Sequence, residues 1–436
     1  MDQSKAGPQS PPLALPPILA SIGTVLIDAF DSPPRPTVDS FPKSNPGIGL
    51  PSPPVDGNAN EPNPDTSPAF QPNIVNRPLP VPSHLATPIA SPAPSTGPST
   101  PQLSLDDHPT PDAEEVYEML GGGALYALVG ARLWLSPSQI RTLVNRAPDN
   151  QHDDLPSEAE DKLNSLGKEI WVWNEGEGTK MTRARIRYEG DVRFFQPIVK
   201  APHRTITQLV ETPLYGSEYL HISPPYSPED VSNLLDQLKS LKQLHPESTW
   251  DPKIVFEPTP PSCHPGQKEW LEKIAPHIEV LSPNHEEMFS IYGISPKDVS
   301  DIELRPTVEK LINHFLQGIG IGKEGKGIII IRCGKLGACV GTKDGGLKWC
   351  PAYFTEDQDK VKDVTGAGNS FLGGYVAGLH LSDHDPYEAL LYATISASFV
   401  VEQFGLPSLS ITDGNERWNG DIPKERVEAL RKRIIT

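Results

Sequence analysis

Cysteine is scarce in this chain, and the few cysteines lack the spacing of a metal site. The four residues are Cys263, Cys333, Cys339 and Cys350. They form no C-x-x-C pair, which argues against a structural zinc site, and four thiols in 436 residues are too few for a disulfide framework. We therefore expect reduced, buried thiols in an intracellular protein.

Positive charge and long apolar runs are also scarce. The chain has 38 Lys and Arg against 56 Asp and Glu, a formal net charge of -18, and no polybasic segment. We therefore predict neither a nucleic-acid partner nor a membrane partner. The sequence also lacks an apolar run of about 18 residues and a basic N-terminal segment leading into an apolar one, so we predict no transmembrane helix and no signal peptide. We expect a cytoplasmic location, and a nuclear one stays open.

Proline is abundant instead, and it marks a segment that we predict to be disordered. The chain contains 50 prolines, and about half of them precede Glu114. Residues 31–113 are rich in Pro, Ser, Thr, Asn and Asp without an apolar period, so they cannot bury enough apolar surface to offset their ordering entropy. Folded sequence flanks this segment, which makes it an insertion. A protein partner that binds the insertion, and regulation through its Ser-Pro and Thr-Pro pairs, stay open.

The remaining sequence alternates short apolar strands with helices. We predict strands at 18–30, 169–174, 220–223, 254–257, 278–281, 327–332 and 337–341. We predict helices at 114–135 (around a Gly-rich turn), 161–167, 228–244, 270–275, 286–292, 308–316, 370–379, 386–404 and 424–434. Residues 183–195 alternate and break at a glycine, which predicts a β-hairpin. This order favours an α/β fold with a mostly parallel sheet and helices on both faces.

The most specific motif is DVTGAGNSFLGG at residues 363–374. Gly366 and Gly368 leave backbone N–H groups unshielded just before a helix whose dipole is positive at that end. Such an arrangement predicts an anion hole for a phosphate or for a phosphoryl group in transfer. The alternative is an ordinary glycine-rich helix start, packed closely against a neighbouring element.

This motif resembles the C-terminal signature of the PfkB/ribokinase family of small-molecule kinases. The residues that match the family's Asp-x-Thr-Gly-Ala-Gly-Asp pattern are Asp363, Thr365, Gly366, Ala367 and Gly368. Asn369 stands where the family has its catalytic aspartate. Within the family, the chain looks most similar to a fungal branch related to the maintenance-of-killer proteins.

Two segments resemble the family's substrate site. GTVLID at 23–28 is similar to the first strand, whose aspartate binds substrate hydroxyls, and this implies that role for Asp28. Gly121, Gly122 and Gly123 resemble the Gly-Gly motif of the substrate site. The alternatives are a turn residue for Asp28 and an ordinary loop for the glycines.

Two further segments resemble the family's nucleotide side. Asn284 and Glu287 match its Asn-x-x-Glu motif, which implies that Glu287 acts indirectly on Mg²⁺; the alternative is a simple helix cap. Gly334 and Gly337 match a turn that lies near the nucleotide in the family. The resemblance also implies that Thr365, in the motif at 363–374, binds the nucleotide. The family often has a threonine shortly before that turn, where this chain has Arg332 and then a cysteine.

The resemblance implies a three-layer ribokinase-like fold. The kinase-like domain would consist of residues 1–30 and 114–436, with a small β-lid at about 181–197. The family often dimerises through this lid. The insertion directly follows the first strand and could block that contact, so a homodimer stays open.

The implied reaction is transfer of the γ-phosphate of ATP, with Mg²⁺, to a hydroxyl of a sugar or nucleoside-like molecule. Asn369 cannot accept a proton as a carboxylate does, and a general base is typically worth about 10²–10⁴-fold in rate. Three outcomes stay open. The enzyme is slow, another carboxylate such as Asp363 or Asp28 takes the proton, or the protein is a pseudokinase that binds its ligands or a partner without turnover.

Overall fold

The chain folds around a large mixed sheet and a smaller four-stranded one. The computed structural model describes residues 15–30, 117–189 and 192–435. The insertion predicted at 31–113 lies outside the described residues.

The strands are β1 (Leu19–Ile22), β2 (Leu26–Phe30), β3 (Tyr117–Gly121), β4 (Ile140–Asn145), β5 (Trp171–Asn174), β6 (Thr182–Glu189), β7 (Val192–Val199), β8 (Tyr219–Ile222), β9 (Lys253–Phe256), β10 (Val280–Leu281), β11 (Ile328–Arg332), β12 (Ala338–Thr342), β13 (Gly346–Cys350), β14 (Leu409–Thr412) and β15 (Asn415–Trp418). The helices are α1 (Gly123–Arg132), α2 (Ser157–Leu166), α3 (Ile206–Val210), α4 (Pro228–Leu244), α5 (Lys268–Ile274), α6 (His285–Ile291), α7 (Asp301–Asn313), α8 (Ala367–Leu381), α9 (Pro386–Val400) and α10 (Pro423–Ile435).

The large sheet has the strand order β13-β12-β11-β10-β9-β8-β1-β4-β5. Its strands are parallel from β11 to β5, and β12 and β13 add antiparallel pairs at one edge. The mostly parallel sheet is therefore confirmed. In the part of the chain that the structure describes, no helix combines the length and apolarity needed to cross a membrane.

Helices cover both faces of this sheet, which explains why its strands are apolar throughout. Successive residues of β11 belong to opposite cores: Ile328 and Ile330 pack with residues of α1, α8 and α9, whereas Ile329 and Ile331 pack with residues of α4, α6 and α7. The predicted three-layer arrangement is thus confirmed.

The smaller sheet has the order β3-β2-β6-β7. It contains the predicted hairpin as β6 and β7. The prediction of one strand over 18–30 was wrong, because β1 belongs to the large sheet and β2 to the small one. The chain breaks at Gly23, where a Cβ would lie 2.1 Å from Ser223 Oγ, and this glycine inside the apolar run was the local sign of the break.

The helix predicted over 114–135 was also wrong in its first part. Residues 117–121 form β3 instead, because they pair with β2 along its whole length, and the helix α1 begins only at Gly123. Local sequence did not reveal this long-range pairing.

Candidate active site

Helix α8 begins at a left-handed glycine. Gly366 precedes the helix with φ 79°, and a Cβ there would lie 2.3 Å from ring atoms of Tyr126, so both the backbone and the packing require glycine. The N–H of Ala367 donates to Val364 O at 3.2 Å, so it is already engaged. The N–H groups that follow belong to the first turn, which has no intrahelical acceptors for them. Residues 365–369 are partly exposed, so this helix start is accessible.

Arg332 lies against the next glycine of the motif. A Cβ on Gly368 would come within 1.6 Å of Arg332 Nη1, so glycine allows the guanidinium to approach the helix backbone. Arg332 ends β11, and its backbone forms a parallel bridge with Asn284. The cation therefore reaches the helix start from the carboxyl end of a parallel strand, the edge where ligands bind in open α/β sheets.

Two buried carboxylates face this guanidinium. Arg332 Nη2 donates to Glu257 Oε1 at 2.7 Å and lies 3.6 Å from Glu287 Oε2. It also donates to Ser282 O at 3.0 Å. The side chains of Arg332, Glu257 and Glu287 are only 12%, 7% and 9% exposed, so the three charges are largely removed from water.

Asn369 joins this charged cluster to the glycine loop before α1. With its amide nitrogen turned toward its two acceptors, Asn369 donates to Glu257 Oε2 and to Gly123 O, each at 3.2 Å. A Cβ on Gly123 would lie 2.7 Å from Ser223 Oγ and 2.8 Å from the Asn369 amide. Glycine at position 123 therefore allows the start of α1 and the first turn of α8 to contact each other.

The predicted substrate residues also lie together. Asp28 is buried in β2, and its Oδ2 lies 2.5 Å from where a Cβ on Gly121 would stand. Gly122 has φ 110° and packs against Thr24 O. The Thr24 hydroxyl accepts from the N–H of Gly123 at 3.0 Å, so the β1–β2 turn holds the glycine loop in place.

Asn284 and Glu287 form a reciprocal helix cap. Asn284 Oδ1 accepts from the Glu287 N–H at 2.8 Å, and Glu287 Oε2 accepts from the Asn284 N–H at 2.7 Å. These two residues therefore form the helix cap of α6, which was the alternative interpretation of the motif. The cap also turns the Glu287 carboxylate toward Arg332, so both residues border the cluster.

The other predicted nucleotide residues lie on turns near the cluster. The N–H of Thr365 donates to Asp363 Oδ1 at 3.0 Å, just before α8. Gly334 follows Arg332 closely and has φ 51°. Gly337 has φ 90° and packs against the end of β13, where a Cβ would lie 2.0 Å from Cys350 O. That contact gives Gly337 a packing role.

Burial shifts the ionisation of both carboxylates. Removal from water raises the pKa of Glu257, and the charge and hydrogen bond of Arg332 oppose that rise. Burial likewise raises the pKa of Glu287; Arg332 lowers it, and the charge of Glu257 adds to the rise. The guanidinium thus favours the charged forms of both carboxylates, and the backbone hydrogen bond from Asn284 also favours that of Glu287.

The donor set does not fit a magnesium ion held by protein side chains alone. Within residues 15–30, 117–189 and 192–435, no group of three or more His, Cys, Asp or Glu is placed to hold a metal. The carboxylate predicted to act on Mg²⁺, that of Glu287, is engaged by its own helix cap and by Arg332. A guanidinium stands between the two carboxylates, where a metal would need oxygen ligands.

Sequence reasoning missed Arg332 as a site residue and did not consider Glu257 or Thr24. A usable signal existed for two of them. Glu257 directly follows the buried strand β9, and Arg332 ends β11, so both stand at the same edge of the sheet. Arg332 also falls where the family often has a threonine.

Known proteins of one family resemble this chain. Residues 202–412 match the model of the pfkB family carbohydrate kinases. An uncharacterised protein of Schizosaccharomyces pombe is 28% identical over 349 residues, which cover 76% of this chain and 91% of that protein. Protein MAK32 of Saccharomyces cerevisiae is 25% identical over 318 residues, covering 71% and 84%.

Solved structures agree on the fold. Ribokinase from Cryptococcus neoformans, determined with ADP, has a TM-score of 0.51 at 18% identity and covers 96% of this chain and 99% of its own. Adenosine kinase from Schistosoma mansoni, determined with 2-fluoroadenosine, has a TM-score of 0.55 at 12% identity, with coverage of 92% and 99%. The predicted ribokinase-like fold and the predicted similarity to maintenance-of-killer-type fungal proteins are both confirmed. The chain is therefore similar to the pfkB family carbohydrate kinases over residues 202–412 and shares the ribokinase-like fold.

Proposed function

We propose that this protein is an ATP-dependent phosphotransferase that transfers the γ-phosphate to a hydroxyl of a sugar or nucleoside-like molecule. The observation on which the proposal rests is the contact between Arg332 and Gly368 at the start of α8. The match of residues 202–412 to the pfkB family model supports the reaction class, and a cytidine kinase from Thermococcus kodakarensis, 28% identical over 162 residues, is consistent with a nucleoside-like acceptor.

The helix start and Arg332 supply the charge that phosphoryl transfer needs. The guanidinium lies against the positive end of α8 at Gly368, and the arginine fork suits phosphate oxygens. Because phosphoryl transfer proceeds through a loose transition state, positioning and electrostatics contribute most of the catalysis. In this proposal Arg332 binds the γ-phosphate, and Glu257 and Glu287 hold the guanidinium in place.

The acceptor would bind beside the glycine loop. Asp28 would receive hydrogen bonds from acceptor hydroxyls, and Gly121 to Gly123 would allow the molecule to approach the backbone closely. Asn369 donates to Gly123 O. The glycine loop therefore contacts both the carboxylate that would hold the acceptor and the helix that would hold the phosphate.

A second candidate function is ligand binding without turnover. Asn369 is not a proton acceptor, and both hydrogens of its amide are engaged by Glu257 and Gly123. A pseudokinase of this kind would keep the nucleotide site and lose the chemistry.

Two measurements on the purified full chain separate these functions. The first is ADP formation from ATP over a panel of ribose, deoxyribose, fructose, adenosine and cytidine, with Mg²⁺ present. The second is the melting temperature with and without ATP, where ligand at 100 times Kd stabilises by about 2.7 kcal/mol, or roughly 3–4 °C for a chain of this size. ADP formation supports the kinase, and a shift without ADP supports the pseudokinase.

The site assignment has its own control. Arg332→Met should abolish the ATP-induced shift, whereas Arg305→Met, which alters an exposed arginine of α7, should keep it. An unchanged shift in Arg332→Met contradicts the proposed phosphate site.

A further inference from the structure

The contacts of Asn369 identify a carboxylate beside the position where the family has its catalytic aspartate. Asn369 Nδ2 lies 3.2 Å from Glu257 Oε2. We propose that Glu257 is the proton acceptor of the reaction and replaces the carboxylate that residue 369 lacks. This inference rests on the proposed phosphotransferase function.

The backbone places Glu257 at the ligand-binding edge of the sheet. It directly follows β9, and its N–H donates to Ile222 O at 3.1 Å, which fixes its position relative to β8. Its neighbours across this edge are Arg332, at the end of β11, and the first turn of α8. The carboxylate is thus held by three different elements of the fold.

The two oxygens of Glu257 have separate partners. Oε1 accepts from Arg332, and Oε2 accepts from Asn369. A carboxylate oxygen has two lone pairs, so Oε2 keeps one for a substrate hydroxyl. Asn369 then acts as a positioning residue, because its amide donates both to Oε2 and to Gly123 O of the glycine loop and so fixes the orientation of Oε2.

The other nearby carboxylates have different engagements. Asp363 Oδ1 accepts from the N–H of Thr365 in the turn before α8. Glu287 caps α6. Asp28 lies over Gly121 on the small sheet, where it is placed to orient the acceptor. Glu257 is the carboxylate that touches Asn369.

The proposed step transfers the γ-phosphoryl group of ATP to the acceptor hydroxyl. The acceptor hydroxyl oxygen forms a bond to the γ-phosphorus, and the bond from that phosphorus to the bridging oxygen of ADP breaks, with its electron pair leaving on ADP. The hydroxyl proton passes to Glu257 Oε2 and reaches solvent after the product leaves. Arg332 serves both charges, since its positive charge favours the ionised form of Glu257 before transfer, against the effect of burial, and it faces the phosphoryl group during transfer.

The first test compares Glu257→Gln with Glu286→Gln, an exposed carboxylate of α6. With ATP and an acceptor that supports turnover in the unaltered protein, Glu257→Gln should lower kcat about 10²–10⁴-fold. The ATP-induced melting shift should stay, which separates loss of the base from loss of binding. Glu286→Gln should match the unaltered protein. A kcat within about threefold of it in Glu257→Gln overturns the proposal.

The second test adds a carboxylate at residue 369. In the Glu257→Gln background, Asn369→Asp should raise kcat at least about tenfold, because the new carboxylate at residue 369 takes over as the general base next to residue 257. A double variant as slow as Glu257→Gln overturns the proposal, because Glu257 then supports the structure of the site and is not the proton acceptor.

Asn369→Asp alone keeps the inference testable where Glu257→Gln does not fold. Since a base is already present, the proposal expects kcat to rise less than about tenfold. A rise in kcat of about 10²-fold or more would show that the unaltered protein has no general base. That result overturns the Glu257 role and leaves the kinase function intact. If neither form produces ADP although ATP raises the melting temperature, the proposed function fails and the Glu257 role fails with it.

Discussion

The guanidinium of Arg332 lies against Gly368, at the first turn of α8. A cation placed at the positive end of a helix is unfavourable on its own. Here Glu257 and Glu287 offset that cost through contacts of 2.7 and 3.6 Å. Under the proposed function, a bound polyphosphate would change the charge balance among the helix start, Arg332 and the two buried carboxylates.

The first prediction concerns Gly368→Ala. The new Cβ would stand 1.6 Å from Arg332 Nη1, so the arginine must leave its place and its pair with Glu257 must weaken. We expect a loss of about 1–3 kcal/mol in the free energy of unfolding and no ATP-induced melting shift. Urea denaturation and thermal melting measure both.

The control is another glycine-to-alanine change. A Cβ on Gly318 would meet only His314 Nδ1, at an ordinary 3.7 Å. Gly318→Ala should therefore leave stability and the ATP shift nearly unchanged. Equal behaviour of the two variants would contradict the steric argument.

The second prediction concerns Arg332→Met, which leaves two buried carboxylates without their cation. We expect a loss of about 3–5 kcal/mol in unfolding free energy near pH 7, because removing one partner of a buried ion pair leaves the other charge uncompensated. The loss should be smaller at pH 5, where the carboxyls can protonate. Urea unfolding at both pH values measures this difference, and an equal loss at both would show that the carboxylates are not involved.

The third prediction concerns pH and Glu287. Burial raises its native-state pKa above the ordinary value of 4.5. The protonated carboxyl therefore contributes stability that is fully present below pH 4.5 and is lost as the pH rises through the higher native-state pKa.

Glu287→Gln removes this titration and keeps the helix cap, since glutamine serves at that position. The urea midpoint of the unaltered protein should fall relative to that of Glu287→Gln between pH 4.5 and about pH 8. Parallel midpoints across this range would contradict the raised pKa.

The fourth prediction concerns Asp28→Asn. If Asp28 orients the acceptor, its loss should raise KM for the acceptor and lower kcat/KM about tenfold or more, with the ATP-induced melting shift unchanged. Glu118→Gln, an exposed change on the neighbouring strand β3, is the matched control. A lost ATP shift in Asp28→Asn would place this residue with the nucleotide instead.

Much of the fold could be predicted from local sequence. The helix predicted at 228–244 coincides with α4, because Ser227 caps it, Pro228 starts it and its apolar residues repeat at helical spacing. The division of 18–30 into β1 and β2 was not predicted, because Gly23 marks a break but does not tell that the two halves join different sheets; Gly23 packs against Ser223, about two hundred residues away.

The candidate site shows the same division. The glycine motif predicted a helix start with unshielded backbone N–H groups, and α8 does begin there, after Gly366 with its positive φ. The motif could not predict that Arg332 fills the space above Gly368. That contact depends on the register of β11 against Asn284 and on the depth at which α8 packs, which no local pattern encodes.

The most direct test of the account is a crystal structure of the full chain with a non-hydrolysable ATP analogue. We predict that oxygens of the γ-phosphate lie about 2.7–3.2 Å from the Arg332 guanidinium and from a first-turn N–H of α8. An analogue bound with its γ-phosphate away from both groups, or no analogue bound at saturating concentration, would contradict the account.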